Sequence, residues 1–241
     1  MERLMLEPIK AFKKPALLEV EKHLGLGVKR SENYAFAQEV EVVPLTFSEL
    51  LPISMYYPVV FGIAEGKIIY PFAVLGFRGK NIYLNEEGHF KVPEIPKVIK
   101  HYPFGVIRKI EEDREDWLVL IDEACLSEDA EEKLFEANGE ESEFMKKIKE
   151  ELTELTLDFA KAYQYAQELA DLRLLKLLPE FVVNTKLGIH RFKNILIGDA
   201  EALKNISPER LYYLNTSGYL PILYSIYLSV RNFVLFDFLI C

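Results

Sequence analysis

The sequence is poor in the residues that carry most recognisable chemistry. Its 241 residues include two cysteines, four histidines and one tryptophan. Cys125 and Cys241 are too few to staple a disulfide-rich scaffold, and their separation predicts free thiols. None of His23, His89, His101 and His190 has a His or Cys neighbour at metal-ligand spacing, so no metal site is expected. Cys125 follows Asp122-Glu123-Ala124 without the motif of a catalytic thiol. Gly76-Phe77-Arg78-Gly79-Lys80 lacks the spacer and the Ser/Thr of a phosphate loop, and Gly62 to Gly66 is no dinucleotide fingerprint. No cofactor is therefore expected. Positive charge is also scarce. The 29 Lys and Arg against 38 Asp and Glu leave a formal charge of −9, which argues against a general nucleic-acid binder. Met1 to Pro8 holds no apolar core of the length a secretory signal needs, so a cytoplasmic location is expected.

What is present describes a globular chain. Half of the residues are hydrophobic, enough to exclude disorder and to bury a core in one large domain or two small ones. The charge is uneven. Glu111 to Asp158 holds 19 acidic and 5 basic residues, a net of −14, so the remainder carries −9 + 14 = +5. This reads as a solvated helix surface, or as an acidic face that steers a basic partner. Leu211 to Val230 carries no charge, but polar residues and Pro221 interrupt it. A buried helix pair is expected there and no transmembrane span, with peripheral association through this tail as the alternative.

Residues 1–38 are mixed and read as an N-terminal arm, with a short helix from Ala16 to Leu24. Residues 39–125 are β-rich. Val59 to Ile63, Ile68 to Phe77 and Asn81 to Leu84 read as strands, with turns at Glu65-Gly66 and Glu87-Gly88. Thr46-Phe47-Ser48-Glu49 fits a capping box opening a helix to Met55. Val106 to Ile110 and Trp117 to Ile121 flank the polar run Glu111 to Asp116 and predict a hairpin. Residues 126–178 read as acidic helices, one capped by Ser127 and broken at Asn138-Gly139. The next is capped by Ser142 and runs to Leu178, with an apolar stripe through Ile148, Leu152, Leu155, Phe159, Ala162, Ala166 and Leu169. The stripe packs on the β layer or serves self-association through the 143–178 helix. In residues 180–241, Phe181 to Val183 and Phe192 to Ile197 predict two strands around Gly188. Helices follow from Asp199, from Ser207-Pro208-Glu209 to Gly218, and from Pro221.

Two aromatic–proline units stand out, Tyr56-Tyr57-Pro58-Val59-Val60-Phe61 and His101-Tyr102-Pro103-Phe104. Proline holds the preceding tyrosine extended, so each unit sets a ring at a strand entrance, either as core or as a rigid ligand clamp. Tyr57, Phe61, Asn81, Tyr102 and Phe104 are the candidate ligand-binding residues. No catalytic residue is assigned.

In order and spacing the chain resembles the SapC family of bacterial proteins over roughly residues 40–236. The resemblance rests on Val43-Pro44-Leu45 with Ser48-Glu49-Leu50, then Tyr57-Pro58-Val59-Val60-Phe61 and Ala73-Val74-Leu75-Gly76-Phe77. It continues through Asn81-Ile82-Tyr83-Leu84, Ile95-Pro96, Ile99-Lys100-His101-Tyr102-Pro103-Phe104, Leu120-Ile121-Asp122, Leu134-Phe135 with Asn138-Gly139, and Gly218-Tyr219-Leu220. Two positions depart from the family pattern: Phe90 follows His89 where a tryptophan is usual, and Lys100-His101 replaces an arginine pair. The resemblance implies a link to surface-layer proteins, for which the family is named, and no established reaction.

The expected fold is α+β: an N-terminal β-rich antiparallel part, a long acidic helix and a C-terminal helical part sharing one core over residues 39–241. The expected function is an accessory or binding protein of surface-layer biology, with a surface or export protein as partner. An enzyme or small-molecule binder with an aromatic-lined pocket, and a homo-oligomerisation module, are the alternatives.

Overall fold

The computed structural model describes residues 3–4, 9–29, 31–64, 68–111, 114–186 and 188–240. The strands that frame it are β1 (Pro15–Leu17), β2 (Val42–Pro44), β3 (Val59–Ala64), β4 (Ile68–Val74), β5 (Phe104–Glu111), β6 (Arg114–Asp122), β7 (Leu175–Thr185) and β8 (Gly188–Gly198). The main helices are α1 (Leu50–Ser54), α2 (Glu143–Asp171), α3 (Pro208–Thr216) and α4 (Tyr219–Ser229). The chain is α+β with antiparallel sheets, as its early β-rich runs and later helical stripe predict.

One sheet has the order β7-β8-β3-β4-β2. Its centre is the β3–β4 hairpin, with Val59 opposite Ala73 and Phe61 opposite Pro71. The turn expected at Glu65-Gly66 lies outside the described residues. A second sheet places the short Arg3–Leu4 strand, β5, β6 and β1 side by side. Its β5–β6 hairpin pairs Val106 with Val119 and Phe104 with Ile121. Glu112 and Asp113 in the charged tip lie outside the described residues, as does Cys241.

Helix α2 joins the two sheets. Ser142 caps it by accepting the Met145 N–H at 3.1 Å, which satisfies one of the donors that the first helical turn leaves unpaired. The apolar stripe is buried within the chain. Ile148, Leu152, Leu155 and Phe159 pack with Phe104 and Ile121 of the second sheet. Tyr165, Ala166 and Leu169 join the larger core of the first sheet and the C-terminal helices. Each such Leu or Phe contributes about 1.5–3 kcal/mol by leaving water. Self-association through the stripe would require opening this core.

Several boundaries differ from the sequence reading. The long helix stops at Asp171, not Leu178, because Arg173 turns left-handed (φ 57°) and the Leu174 N–H bonds back to Leu169 O at 2.8 Å. Residues 175–185 then form β7, so the helical part does not extend over 126–178. Nor do residues 128–137 form a helix. Leu126–Ser127 and Glu132–Lys133 instead pair with Gly27–Val28. Acids suit a helix start, but this segment has no apolar stripe, and ladder bonds to Gly27 prevail. The part from 180 opens with the long β7–β8 hairpin before it becomes helical. From Ile9 onward the expected arm is part of the fold: β1 pairs with β6, and Ala11, His23, Val28 and Ala37 are buried.

Candidate functional site

The five candidate residues are mostly interior. Tyr57 is buried with its ring 4.2 Å from that of Tyr83, and its hydroxyl donates to Glu94 O at 2.6 Å. Burial pushes the Tyr57 phenol well above its ordinary range. Phe61 is buried in the central strand. Asn81 donates to Ala37 O at 3.2 Å and accepts the Tyr83 N–H at 3.0 Å. Tyr102 stacks on Phe36 at 4.0 Å. Phe104 lies in the second core and lines an apolar void of ≈40 Å³, room for about one water. No cleft described below is lined by more than one of the five. The two proline units do place their rings at strand entrances, Tyr57 before β3 and Tyr102 before β5, and both rings pack against neighbouring aromatics.

Two carboxylate clusters were not evident as sites in the sequence. At the first, Glu49 is buried; its Oε2 accepts from Thr46 Oγ1 at 2.6 Å and its Oε1 from the Lys97 N–H at 3.2 Å. Burial raises the Glu49 carboxyl to about 7, and the bonds from Thr46 and Lys97 offset only part of that. The neighbouring Asp158 accepts from the Ser48 N–H at 3.0 Å, from the Ser48 hydroxyl, and from Lys97 Nζ at 2.7 Å. Burial acts on Asp158 too, but the Lys97 and Ser48 bonds outweigh it and hold its carboxyl low. The capping-box residues are thus present in altered roles: Thr46 serves the Glu49 carboxylate, and no side chain caps the first turn. The second cluster is Asp122, which is buried and accepts from Lys13 N, Lys14 N, Ala124 N and the Tyr102 hydroxyl. Both clusters clip remote segments together through hydrogen bonds. Among the described residues no group of three or more His, Cys, Asp and Glu is arranged to hold a metal.

A partly apolar groove lies between α2 and the β6 side of the second sheet. Trp117 and Val119 alternate with Leu118 along β6, so they share the face that carries Ile121. At the Trp117 end the helix and sheet leave a groove of ≈470 Å³. Leu18, Val20, Val119, Phe135 and Leu152 wall it, and Glu141, Lys149, Thr153 and Thr156 line its α2 side. Glu141 and Lys149 are ion-paired across that rim. β1 pairs with β6 only at Leu120, Ile121 and Asp122, with one further bond from the Leu18 N–H to Val119 O. Toward Arg114 the strand β6 runs on past the end of its ladder with β1. Its outer edge beyond that ladder lies beside the groove, and a strand edge is a template for an added strand. The lone tryptophan, two residues from Val119 in the acidic segment, was the available signal.

The SapC family model matches residues 18–235, so the match begins some twenty residues before the resemblance read from motifs. The early stretch it includes holds Gly27–Val28, which pairs with Leu126–Ser127 and Glu132–Lys133 in the region before α2. No curated protein and no solved structure matches the chain. With 218 of its 241 residues matched (235 − 18 + 1), this chain belongs to the SapC family.

Proposed function

We propose that this SapC-family chain is a binding protein that takes an extended, basic segment of a partner protein along the outer edge of β6, beside α2. The observation that carries the reading is the groove of ≈470 Å³ beside the part of β6 that runs past its ladder with β1. An added strand gains backbone bonds from the edge, and its alternate side chains reach the apolar walls. The charge supports a basic occupant, because Trp117, Glu141 and Thr153 all fall in the Glu111 to Asp158 segment of net −14. The family name supports a partner in bacterial surface-layer biology, a surface or export protein. The role is then that of an accessory protein acting from the cytoplasm. The bonding of Glu49, Asp122 and Asp158 supports binding over catalysis, since each carboxylate already holds backbone or side-chain donors.

The test is capture from the protein's own cells with wild type, Trp117→Ala and Thr153→Arg, each shown to be folded. The reading predicts one envelope or export protein that is retained by wild type, reduced at least tenfold by either variant, and weakened by salt. Equal capture by all three, or recovery of a small molecule alone, contradicts it.

A further inference from the structure

The helical stretch Tyr219–Leu239 is long and apolar enough to cross a membrane, yet only 28% of its apolar window is buried. Its inner side is core, with Ile222, Leu223, Ile226, Phe233 and Phe236 buried. The buried helix pair expected from the sequence is therefore buried on one side only. The outer side presents Pro221, Tyr224, Leu228, Arg231, Val234 and Phe238, all exposed. Their spacing of three or four residues keeps them on one face, where a helix facing water carries polar side chains. Val234 is 66% and Phe238 73% exposed. The flanking helices widen the surface. α3 buries Leu214 alone and exposes Leu211 and Tyr212 beyond the charged Glu209 and Arg210 of its first turn, and α1, which packs on α4, exposes Leu51, with the exposed Met55 just after it. The result is a broad apolar surface over three helices, not a narrow seam.

The charge on this surface selects its occupant. Arg231 is the one cation and Asp237 the one acid between Leu211 and Cys241. Asp237 is held by the backbone of the β7 end, where its Oδ1 accepts the Lys186 N–H at 2.8 Å. The stretch from Pro221 to Phe238 thus offers one guanidinium, at Arg231, and one carboxylate already bonded to backbone, with exposed tyrosines at 212 and 224. That combination fits the headgroup zone of a bilayer, where tyrosine rings and a snorkelling arginine meet phosphates while apolar side chains enter the acyl boundary. A two-fold pairing of two copies through the same face would instead bring two Arg231 cations to one seam.

We propose that the outer face from Pro221 to Phe238 seats the protein on a lipid surface bearing anionic headgroups. The stretch lies in the plane of the interface, because its inner side remains in the protein core. The proposal stands independently of the groove at β6. It is tested by flotation of the full chain with vesicles of phosphatidylcholine alone and of phosphatidylcholine with 30% phosphatidylglycerol. Wild type floats with the mixed vesicles. Leu228→Glu/Phe238→Glu, shown to be folded, loses at least tenfold of that binding, and Arg231→Glu removes the preference for the anionic lipid. Leu157→Glu, at an exposed position on α2, floats like wild type. Wild type remaining in solution with both vesicles overturns the proposal, as does equal flotation of the double variant. A lipid-free dimer that Leu228→Glu/Phe238→Glu dissociates, with no flotation, overturns it in favour of a second copy.

Discussion

The Tyr102 hydroxyl donates to Asp122 Oδ2 at 2.8 Å, and the same oxygen accepts the Lys13 N–H at 2.8 Å. One buried carboxylate thereby fixes three segments: the strand entrance at Tyr102, the end of β6, and the strap that leads into β1. Burial would raise this carboxyl, but the bonds from Lys13 N, Tyr102, Lys14 N and Ala124 N outweigh it and hold it below the ordinary range. A carboxyl lowered by folding adds stability above its unfolded pKa near 4 and loses it as pH falls through the folded value. Asp122→Asn removes an acceptor from converging donors and should cost about 3 kcal/mol at pH 7. Its acid-unfolding limb should also be shallower than that of wild type. Urea titrations at pH 3 and 7 check both.

Glu49 has the opposite sign. Its carboxyl is raised to about 7 by burial, so the folded chain holds a proton that the unfolded chain releases near 4.5. Stability from this group is therefore full below about 4.5 and falls as pH rises to about 7. Glu49→Gln is neutral at all pH and can keep the bonds to Thr46 and Lys97. It should fold, flatten the stability profile between about pH 4.5 and 7, and be more stable than wild type at pH 8 by on the order of 2–3 kcal/mol. Thermal midpoints across that range measure it.

Gly76 lies within the family run Ala73 to Phe77. A Cβ there would sit 1.8 Å from the Lys80 carbonyl oxygen, a backbone clash that no side-chain rotation relieves. Gly76→Ala should destabilise by about 3 kcal/mol or more. Gly25→Ala offers a contrast: nothing lies within 4 Å, and only its φ of 81° is strained, which costs about 1 kcal/mol. Chemical denaturation of the two variants side by side gives the comparison.

These sites differ in how far the sequence revealed them. Local patterns were readable: the α2 stripe and its Ser142 cap, the β5–β6 hairpin, and the Ser207-Pro208 start of α3 all depend on residues within one or two turns. Asp122 shows the limit. Its donors come from Lys13 and Lys14, more than a hundred residues away, and no local pattern encodes them. Likewise Asp158 meets Ser48 across 110 positions. The groove was invisible for the same reason, since it depends on where β1 stops pairing and on which side α2 crosses the sheet. The aromatic–proline units were conspicuous because large rigid rings are equally suited to a core and to a clamp. Only packing distinguishes those uses, and it places Tyr57 in the core.

The most direct measurement is site-specific photo-crosslinking in living cells from Thr153 on the α2 side of the groove, with the exposed Leu177 on β7 as the control position. The account predicts a crosslink from Thr153, and not from Leu177, to a lysine- or arginine-rich stretch of one envelope or export protein. Trp117→Ala should abolish it. Crosslinks of equal yield from both positions, or none from Thr153 while the chain is folded and abundant, would contradict the claim that the β6 edge and its groove are the binding site.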